Sequence, residues 1–432
     1  MIQWKHTLCI YALFQLTIAS TEAFSVTPGG ESLAAGRPKV IQCVDCAIVG
    51  AGPAGLSASI AISKSAPSTS IAVYERDSFQ PKGASVSIFP TGWVSLEELD
   101  PVLVPRLKKT GTPVFAAVIK QWKGGDNANA DAEAVGEGTE EKEKEPTVFA
   151  YAHLWHDIRM VLATRAKEIY PISNSNGNDI FHLNSSLVDI KPLELDDETN
   201  HNGARFEITV NENGQEKIMQ AKFLIACDGT MSKVRSLLPN EPDILIDEKK
   251  SVWRGCVPTL STKGKATMWA DKDTERSALI WPAGKDAGAS WTVISKVQDG
   301  KAETVEEARS RLLSVIDDMD EDFKQVVVDS PMVIENKLHI RDYDKPWKSS
   351  YDGLVYVGDS AHPVRPTGQG TALAFEDCKV LSEKIAKYGM SVEALRAYED
   401  ERYEPVKAIS DAVRQSANES YAKNDRTQTT TG

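Results

Sequence analysis

Three short segments carry the residue types from which a site for an anionic, hydroxyl-rich ligand can be built. The first is GAGPAG at residues 50–55, directly after an apolar run and directly before a helical pattern. In that setting Gly50 allows a tight turn, Gly52 lets the backbone approach a pyrophosphate, and Gly55 lets strand and helix pack closely. Free amides of the first helical turn, which includes Ala54, would face the phosphates. This segment predicts a dinucleotide site.

An acidic residue follows this motif at the end of the next predicted strand. Glu75 lies twenty residues after Gly55, where a carboxylate can accept hydrogen bonds from the hydroxyl groups of a ribose. Arg76, the next residue, is a second candidate for contact with the cofactor. Because NAD and FAD share this fingerprint, the first segment alone leaves both cofactors open.

The second and third segments each place an aspartate where a predicted strand ends. The second is ACDGTMSKVR at 226–235, with Asp228 and Gly229 before a helix. The third is YVGDSAHP at 356–363, with Asp359, and it continues through PTGQG at 366–370 into a helix. Taken singly, Asp228 is better interpreted as a turn-forming residue and Asp359 as a helix cap.

In this order and spacing the three segments resemble the single-component FAD-dependent monooxygenases, the family that includes para-hydroxybenzoate hydroxylase, salicylate hydroxylase and zeaxanthin epoxidase. The resemblance covers about residues 41–410. It implies that Asp228 and Gly229 serve FAD and NAD(P)H binding, and that Asp359 holds the ribityl chain of the flavin. The loop beside the flavin ring would be formed by Pro366, Gly368, Gln369 and Gly370.

The resemblance also implies an activity. NAD(P)H would reduce the flavin, oxygen would add to form a flavin hydroperoxide, and one oxygen atom would hydroxylate or epoxidise a small aromatic or isoprenoid-type substrate. No catalytic side chain is assigned, because the flavin carries the chemistry. Two alternatives stay open, namely a flavin-dependent reductase or dehydrogenase of the same fold and a noncatalytic flavin-fold binding protein.

Residues on the substrate side are suggested by the same resemblance. Trp253 and Arg254, on a predicted strand, resemble the segment of the family that faces the substrate. Arg254 could orient an anion or form a surface salt bridge. Trp281 and Trp291 could line the same cavity or fill the core. One position departs from the family: relatives commonly place an arginine before the helix that begins near Asp157, whereas this chain has Trp155.

Length and periodicity predict an α/β chain of about two domains, a Rossmann-like domain with a doubly wound sheet and a mixed α+β domain. The resemblance implies that the first binds FAD and the second the substrate. We assign the FAD-binding domain, with part of the substrate sheet, to 41–120 and 147–240, and the substrate domain to 241–340. Residues 341–415 return to the first domain and form C-terminal helices. An acidic disordered insertion at 121–146 and a disordered tail at 416–432 complete the division.

The formal net charge of −13 argues against a nucleic-acid partner, which would require clustered basic residues. The expected partners are a small substrate and O2, no later segment is long enough to cross a membrane, and the sequence leaves the oligomeric state open. Residues 1–23 read as a signal peptide, with a buried N-terminal helix as the alternative. Phe24 and a small-residue stretch up to residue 40 resemble the presequences of red-lineage algal plastids, although plain secretion stays open.

Five cysteines remain after the predicted signal, and two of them form the CxxC motif of Cys43 and Cys46. Positions three apart in a strand point to opposite faces, so the pair is poorly placed to chelate a metal ion. We expect ordinary buried thiols rather than a metal or redox site.

Overall fold

The computed structural model describes most of the chain from Gln42 onward. The described residues are 42–81, 85–122, 147–170, 179–195, 203–241, 245–271, 273–296, 302–365 and 368–428. The expected signal peptide, the transit segment, residues 123–146 of the acidic insertion and Pro366 lie outside them, so those expectations stay predictions.

The strands are numbered in chain order. They are β1 (Gln42–Val49), β2 (Ile71–Tyr74), β3 (Ser85–Ile88), β4 (Thr112–Val114), β5 (Ala116–Gln121), β6 (Ala150–Leu154), β7 (Phe181–His182), β8 (Ser185–Pro192), β9 (Phe206–Glu212), β10 (Gln215–Ala226), β11 (Leu245–Val257), β12 (Lys265–Asp271), β13 (Arg276–Pro282), β14 (Ala289–Lys296), β15 (Val333–Arg341) and β16 (Leu354–Tyr356).

The helices are numbered in the same way. They are α1 (Pro53–Ser65), α2 (Pro90–Leu99), α3 (Leu103–Thr110), α4 (Trp155–Ile169), α5 (Lys233–Leu237), α6 (Val305–Val315), α7 (Glu321–Asp329), α8 (Gly370–Tyr388) and α9 (Val392–Gln428), and a 3-10 turn covers Gly358–Ser360.

The largest sheet has seven strands in the order β7-β2-β1-β10-β9-β8, and β16 pairs with the last residues of β10. β1, β2, β7, β10 and β16 run parallel, whereas β9 runs antiparallel to both β8 and β10. Successive residues of β1 alternate between two apolar cores, one shared with α1, α4 and α8 and the other with β8, β9 and α5. Apolar cover on both faces explains why the central strands are continuously apolar.

A second sheet of six strands has the order β15-β11-β14-β13-β12-β5. Helices α6 and α7 cover one face of it and bury a core of tryptophans and aliphatic residues. β5 lies almost entirely in the part of the chain that we assigned to the FAD-binding domain, and it runs parallel to β12. β3, β6 and β4 form a third, small sheet between these regions.

Two boundaries differ from the sequence prediction. Two residues that we placed in the acidic insertion are ordered: Gln121 ends β5, and Trp122 is buried, with its indole N–H donating to Oδ1 of Asp318 at 2.9 Å. At the other end α9 continues to Gln428, through most of the tail that we expected to be disordered. The α/β class and the parallel first sheet are confirmed. Within the described residues no helix is both long and apolar enough to cross a membrane.

Candidate functional site

The glycine-rich motif forms the turn between β1 and α1. Gly50 has φ +99°, and a Cβ added there would lie 2.4 Å from the carbonyl oxygen of Cys227 on the neighbouring strand. A Cβ at Gly55 would lie 1.9 Å from the carbonyl oxygen of Gly50. Both positions therefore exclude any larger residue, because backbone atoms occupy the space.

The middle glycine of the motif is different, because open space lies in front of it. The nearest atom to a Cβ added at Gly52 is Cζ2 of Trp155, at 3.9 Å. Gly52 caps α1, Pro53 occupies its first turn, and Ala54 follows half-buried. The first amides of a helix have no partner within it, so this end of α1 offers donors and a partial positive charge to an anion.

Glu75 follows directly after β2, next to the turn. Its Oε2 accepts a hydrogen bond from the Ala51 amide at 2.8 Å, and its Oε1 accepts one from the Asp77 amide at 3.1 Å. The residue is 9% exposed, so the carboxylate is fixed and its outer lone pairs remain for a ligand. Arg76 instead points into solvent and lies 3.7 Å from Asp77, so the structure does not bring it to the glycine-rich turn.

Asp228 and Gly229 lie where β10 ends. Oδ2 of Asp228 accepts a hydrogen bond from the Val234 amide at 3.0 Å in the first turn of α5, which is a capping role. Oδ1 is buried and has no hydrogen-bond partner among the described residues. Burial raises the pKa of the Asp228 carboxyl, although the amides of α5 and Ser232 oppose that effect. Gly229 turns the chain with φ +85°.

Asp359 lies in the 3-10 turn after β16, beside the start of α8. A Cβ added at Gly370 would lie 3.5 Å from Oδ1 of Asp359. Water reaches the Asp359 side chain, yet desolvation by the surrounding protein raises its pKa, with Asp377 adding to the effect and His362 and Arg254 opposing it. The pKa of this carboxyl is affected by charges and burial and by no hydrogen bond with the described residues. We call the partly accessible surface formed by Asp359, the start of α8 and Arg254 the recess.

The loop before α8 brings its glycines to the same recess. Gly368 has φ +84°, and a Cβ there would lie 2.6 Å from the ring of Phe89. Gln369 is exposed and caps α8, which begins at Gly370 as the sequence predicted. The N-terminus of α8 therefore lies beside Asp359, and a helix start favours negative charge in front of it.

Arg254 approaches Asp359 from the second sheet. It lies half-buried on β11 and makes no hydrogen bond or ion pair with the residues that the structure describes. Burial lowers the pKa of its guanidinium, and the charge of Asp359 raises it again in part. A desolvated cation without a bonded partner is a receptor for an anion.

Trp253, the neighbour of Arg254, points to the other face of the sheet. It is fully buried in the core beneath α6 and α7, so the structure does not bring it to the recess. Trp291 belongs to the same core, and its indole N–H donates to Ser330 at 2.6 Å. Trp281 lies on the Arg254 side of the sheet and donates to Ser85 at 3.1 Å.

Comparison with known proteins identifies the ligand of this arrangement. The sequence profile of the family described as FAD binding domain matches residues 194–413, half of the chain, including the Asp228 and Asp359 segments. The chain belongs to this FAD binding domain family. The resemblance to single-component FAD-dependent monooxygenases is thereby confirmed, and the glycine-rich turn, Glu75, Asp228 and Asp359 are the candidate contacts of FAD.

Curated relatives agree with this family. The chain is 28% identical over 212 residues to kynurenine 3-monooxygenase of Caenorhabditis elegans, a match that covers 45% of this chain and 44% of that protein. It is 25% identical to the phenazine 1,6-dicarboxylic acid hydroxylase PhzS of Lysobacter antibioticus, covering 51% of this chain and 58% of that one. The chain thus spans about half the length of the curated relatives that it matches.

Solved structures share the fold over nearly the whole chain. HpxO of Klebsiella pneumoniae, solved with FAD and uric acid, superposes with a TM-score of 0.65 at 16% sequence identity, covering 88% of this chain and 90% of HpxO. CtdE in complex with FAD gives a TM-score of 0.66 at 17% identity, covering 89% of this chain and 99% of CtdE.

The residues present fit FAD. The turn at Gly52 leaves room for a pyrophosphate, the outer side of Glu75 is available to the adenosine ribose, and Oδ1 of Asp228 is a buried acceptor that lacks a donor. In each case the protein alone leaves space or hydrogen-bonding capacity unused, and the hydroxyl and phosphate groups of FAD would fill it.

Some residues that organise the FAD site were not predicted. Asp377 on α8 is fully buried and accepts from the Gly358 amide at 2.8 Å, lies 2.7 Å from Nε2 of His362, and accepts from Nε of Arg402 at 2.7 Å. Burial opposes ionisation, but His362 and Arg402 outweigh it and lower the pKa of Asp377 to about 2. The Asp377 carboxylate is therefore ionised at neutral pH, and it holds the Asp359 loop through the Gly358 amide.

A second unpredicted contact joins the two aspartate segments. Arg235 of α5 donates to the carbonyl oxygens of Ser360 at 3.1 Å and Trp347 at 2.8 Å, and its guanidinium lies over the ring of Tyr356. Arg235 contacts residues 112 and 125 positions away in the chain, and Asp377 contacts residues 15 to 25 positions away. These contacts form only in the folded chain, so no local pattern marks either residue. A polar residue inside an otherwise apolar helix face is the one signal that Asp377 offers.

The described cysteines are thiols that form no disulfide. Cys46, Cys227 and Cys378 are buried, as expected, but Cys43 is exposed, so the expectation of a buried thiol is wrong there. Cys43 is the second residue of β1 and belongs to neither of the two apolar cores that the later apolar residues of the strand join, so its position at the start of the strand leaves it exposed. Among the described residues no cluster of His, Cys, Asp and Glu could hold a metal ion.

Proposed function

We propose that this protein is an FAD-dependent monooxygenase that uses NAD(P)H and O2 to hydroxylate a small anionic aromatic compound. The observation that carries the proposal is the recess between the Asp359 loop and Arg254, where a cation without a bonded partner faces the flavin-binding segment. The names of the curated relatives, a kynurenine monooxygenase and a phenazine dicarboxylic acid hydroxylase, support this class of reaction.

The neighbours of Arg254 across the second sheet support the shape of the substrate. Side chains of paired residues on adjacent strands lie on the same face. Starting from Arg254, this row continues through Thr292, Leu279, Met268 and Ile119. Met268 is 37% exposed and Ile119 is 56% exposed, so the outer part of the row is uncovered. A compound with an anionic end at Arg254 and an apolar body along this row fits the face.

When bound, FAD would supply the redox chemistry, because its oxidised ring accepts the electrons of NAD(P)H and its reduced ring passes them to oxygen. The overall reaction inserts one oxygen atom into a C–H bond of the substrate, and the other leaves as water with the hydride of NAD(P)H and a proton. The chain contributes binding, orientation and exclusion of water. Asp359 would accept a hydrogen bond from a ribityl hydroxyl, and the start of α8 would stabilise negative charge on the flavin ring.

Arg254 would orient the substrate by its anion. We expect Arg254→Met to raise the KM for aromatic carboxylates about 30-fold to 100-fold, because a charge-assisted hydrogen bond contributes about 2–3 kcal/mol. The KM for the corresponding neutral amides should change by less than about threefold. Steady-state NAD(P)H oxidation at air saturation measures both.

Lys337→Met is the matched control, since it removes an exposed positive charge from β15 of the same sheet. Equal loss for carboxylates and amides in Arg254→Met, or the same loss in the control, would remove Arg254 from the substrate site. NAD(P)H oxidation that proceeds without oxygen and reduces the substrate would favour the alternative, a flavin-dependent reductase of the same fold.

A further inference from the structure

Arg159 of α4 is a buried cation beside the glycine-rich turn, and neither the motifs nor the family resemblance marks it. Its side chain is 1% exposed. The guanidinium lies over two rings, 4.5 Å from the centroid of Trp155 and 4.6 Å from that of Phe79. Burial lowers its pKa, and the charges of Glu75 and Asp77 oppose that effect. A buried arginine requires a compensating partner, and its partners here are parts of the FAD site.

Arg159, Ala51 of the glycine-rich turn and the carboxylate of Glu75 form a closed ring of contacts. Its Nε donates to the carbonyl oxygen of Ala51 at 2.8 Å. The Ala51 amide donates to Oε2 of Glu75 at 2.8 Å, and Nη2 of Arg159 lies 3.4 Å from the same oxygen. Ala51 is the residue between the first two glycines of the motif. The ring therefore holds both its amide N–H and its carbonyl oxygen, on the two sides of its Cα.

Charge gives the ring a second consequence. Glu75 is 9% exposed and lies beside the space in front of Gly52, where the pyrophosphate of FAD fits. An unpaired carboxylate there would repel the phosphates through a medium of low dielectric constant. Since Nη2 has no hydrogen bond among the described residues, its contribution to Glu75 is that of a neutralising charge at 3.4 Å.

We propose that Arg159 is a positioning residue of the FAD site, which fixes the Ala51 peptide and Glu75 in the geometry that receives the adenosine half of the cofactor. The inference rests on FAD binding, which the family shows, and is independent of the proposed monooxygenase activity. Trp155 and Phe79 hold the guanidinium plane in place, because arginine favours the faces of aromatic rings.

The test is a titration of the apoprotein with FAD, in which the change in FAD fluorescence reports binding. Arg159→Met should raise the Kd for FAD at least tenfold, and the Kd for ADP, measured by competition, should rise by a similar factor because the effect belongs to the adenosine half. Arg159→Lys keeps the charge but not the flat guanidinium and its Nε donor, so its Kd for FAD should be more than about threefold above that of the parent protein and below that of Arg159→Met.

Arg165→Met is the matched control on the same helix. Arg165 is 20% exposed and bonds to Asp100 and Glu168, away from the turn, so its loss reports the general cost of removing an arginine from α4. Urea unfolding of each apoprotein verifies that the variants are folded. If Arg159→Met does not fold, Arg159→Lys takes its place in the binding test.

Three results would overturn the inference. The first is a Kd for FAD within about threefold of the parent value in Arg159→Met, or in Arg159→Lys where only that variant folds. The second is an equal loss of FAD affinity in Arg165→Met, and the third is weaker FAD binding with unchanged ADP binding. A parent protein that binds no FAD would instead contradict the family's cofactor, and the parent titration distinguishes the two failures.

Discussion

The two faces of the second sheet carry neighbouring residues with opposite environments. On one face the row Trp253, Val293, Ala278 and Trp269 is buried beneath α6 and α7. On the other face, one residue along, the row Arg254, Thr292, Leu279, Met268 and Ile119 becomes more exposed outward and begins with an unbonded cation. The difference teaches that the first face stabilises the domain, whereas the second is left uncovered and is the face that we propose for the substrate.

The largest effect should come from the buried face. Trp253→Ala should lower the free energy of unfolding by about 3–5 kcal/mol, because it leaves a large cavity in a close-packed core. Arg254→Ala, the adjacent change on the other face, should lower it by less than about 1 kcal/mol, since the guanidinium has no bonded partner to lose. Urea unfolding of the two apoproteins compares them. Equal losses would mean that both faces are packed alike.

A smaller effect is expected from Leu279, in the middle of the open row. Leu279→Ala should raise the KM about tenfold for substrates with an apolar body, because a few methylene contacts contribute about 1–3 kcal/mol. Its stability should change by less than about 1 kcal/mol. The reverse pattern is expected from the neighbouring Ala278→Leu, which overpacks the buried face and should destabilise by about 1–3 kcal/mol. If Leu279→Ala instead destabilised as much as Ala278→Leu, the open row would be part of the core.

The smallest effect concerns pH and Asp359, which faces Arg254. Desolvation raises the pKa of the Asp359 carboxyl above its unfolded value, so the folded state holds its proton more tightly. This residue's contribution to stability therefore falls as pH rises through its unfolded and then its folded pKa. Asp359→Asn should remove that slope and leave the apoprotein equally or slightly more stable at neutral pH. Urea unfolding between acid and neutral pH tests this, and a variant that is less stable at neutral pH would contradict it.

The sequence predicted what depends on local order. The turn from Gly50 to Gly55, the strand end at Glu75 and the helix that begins at Gly370 each depend on residues close in the chain, and all were placed correctly. The parallel first sheet followed from the same strand, helix and strand pattern. These elements are set by backbone geometry, which neighbouring residues largely determine.

What the sequence did not predict depends on contacts between distant segments. Arg159 meets Ala51 and Glu75 only because α4 packs beside the glycine-rich turn. The placement of Trp253 and Arg254 also required the fold: alternation puts them on opposite faces, but only the position of α6 and α7 determines which face is covered. Arg76, placed next to Glu75 by sequence, points away because the chain leaves the strand there.

The most direct test of monooxygenase activity follows the oxygen atoms. The protein reconstituted with FAD would be given NAD(P)H, isotopically heavy oxygen gas and a panel of aromatic carboxylates that includes kynurenine and para-hydroxybenzoate. Mass spectrometry would then analyse the products. We expect at least one product that carries a single heavy oxygen atom, formed with the oxidation of one NAD(P)H per molecule. Oxidation of NAD(P)H that yields only hydrogen peroxide across the panel, or a product that carries oxygen from water, would contradict the proposed function.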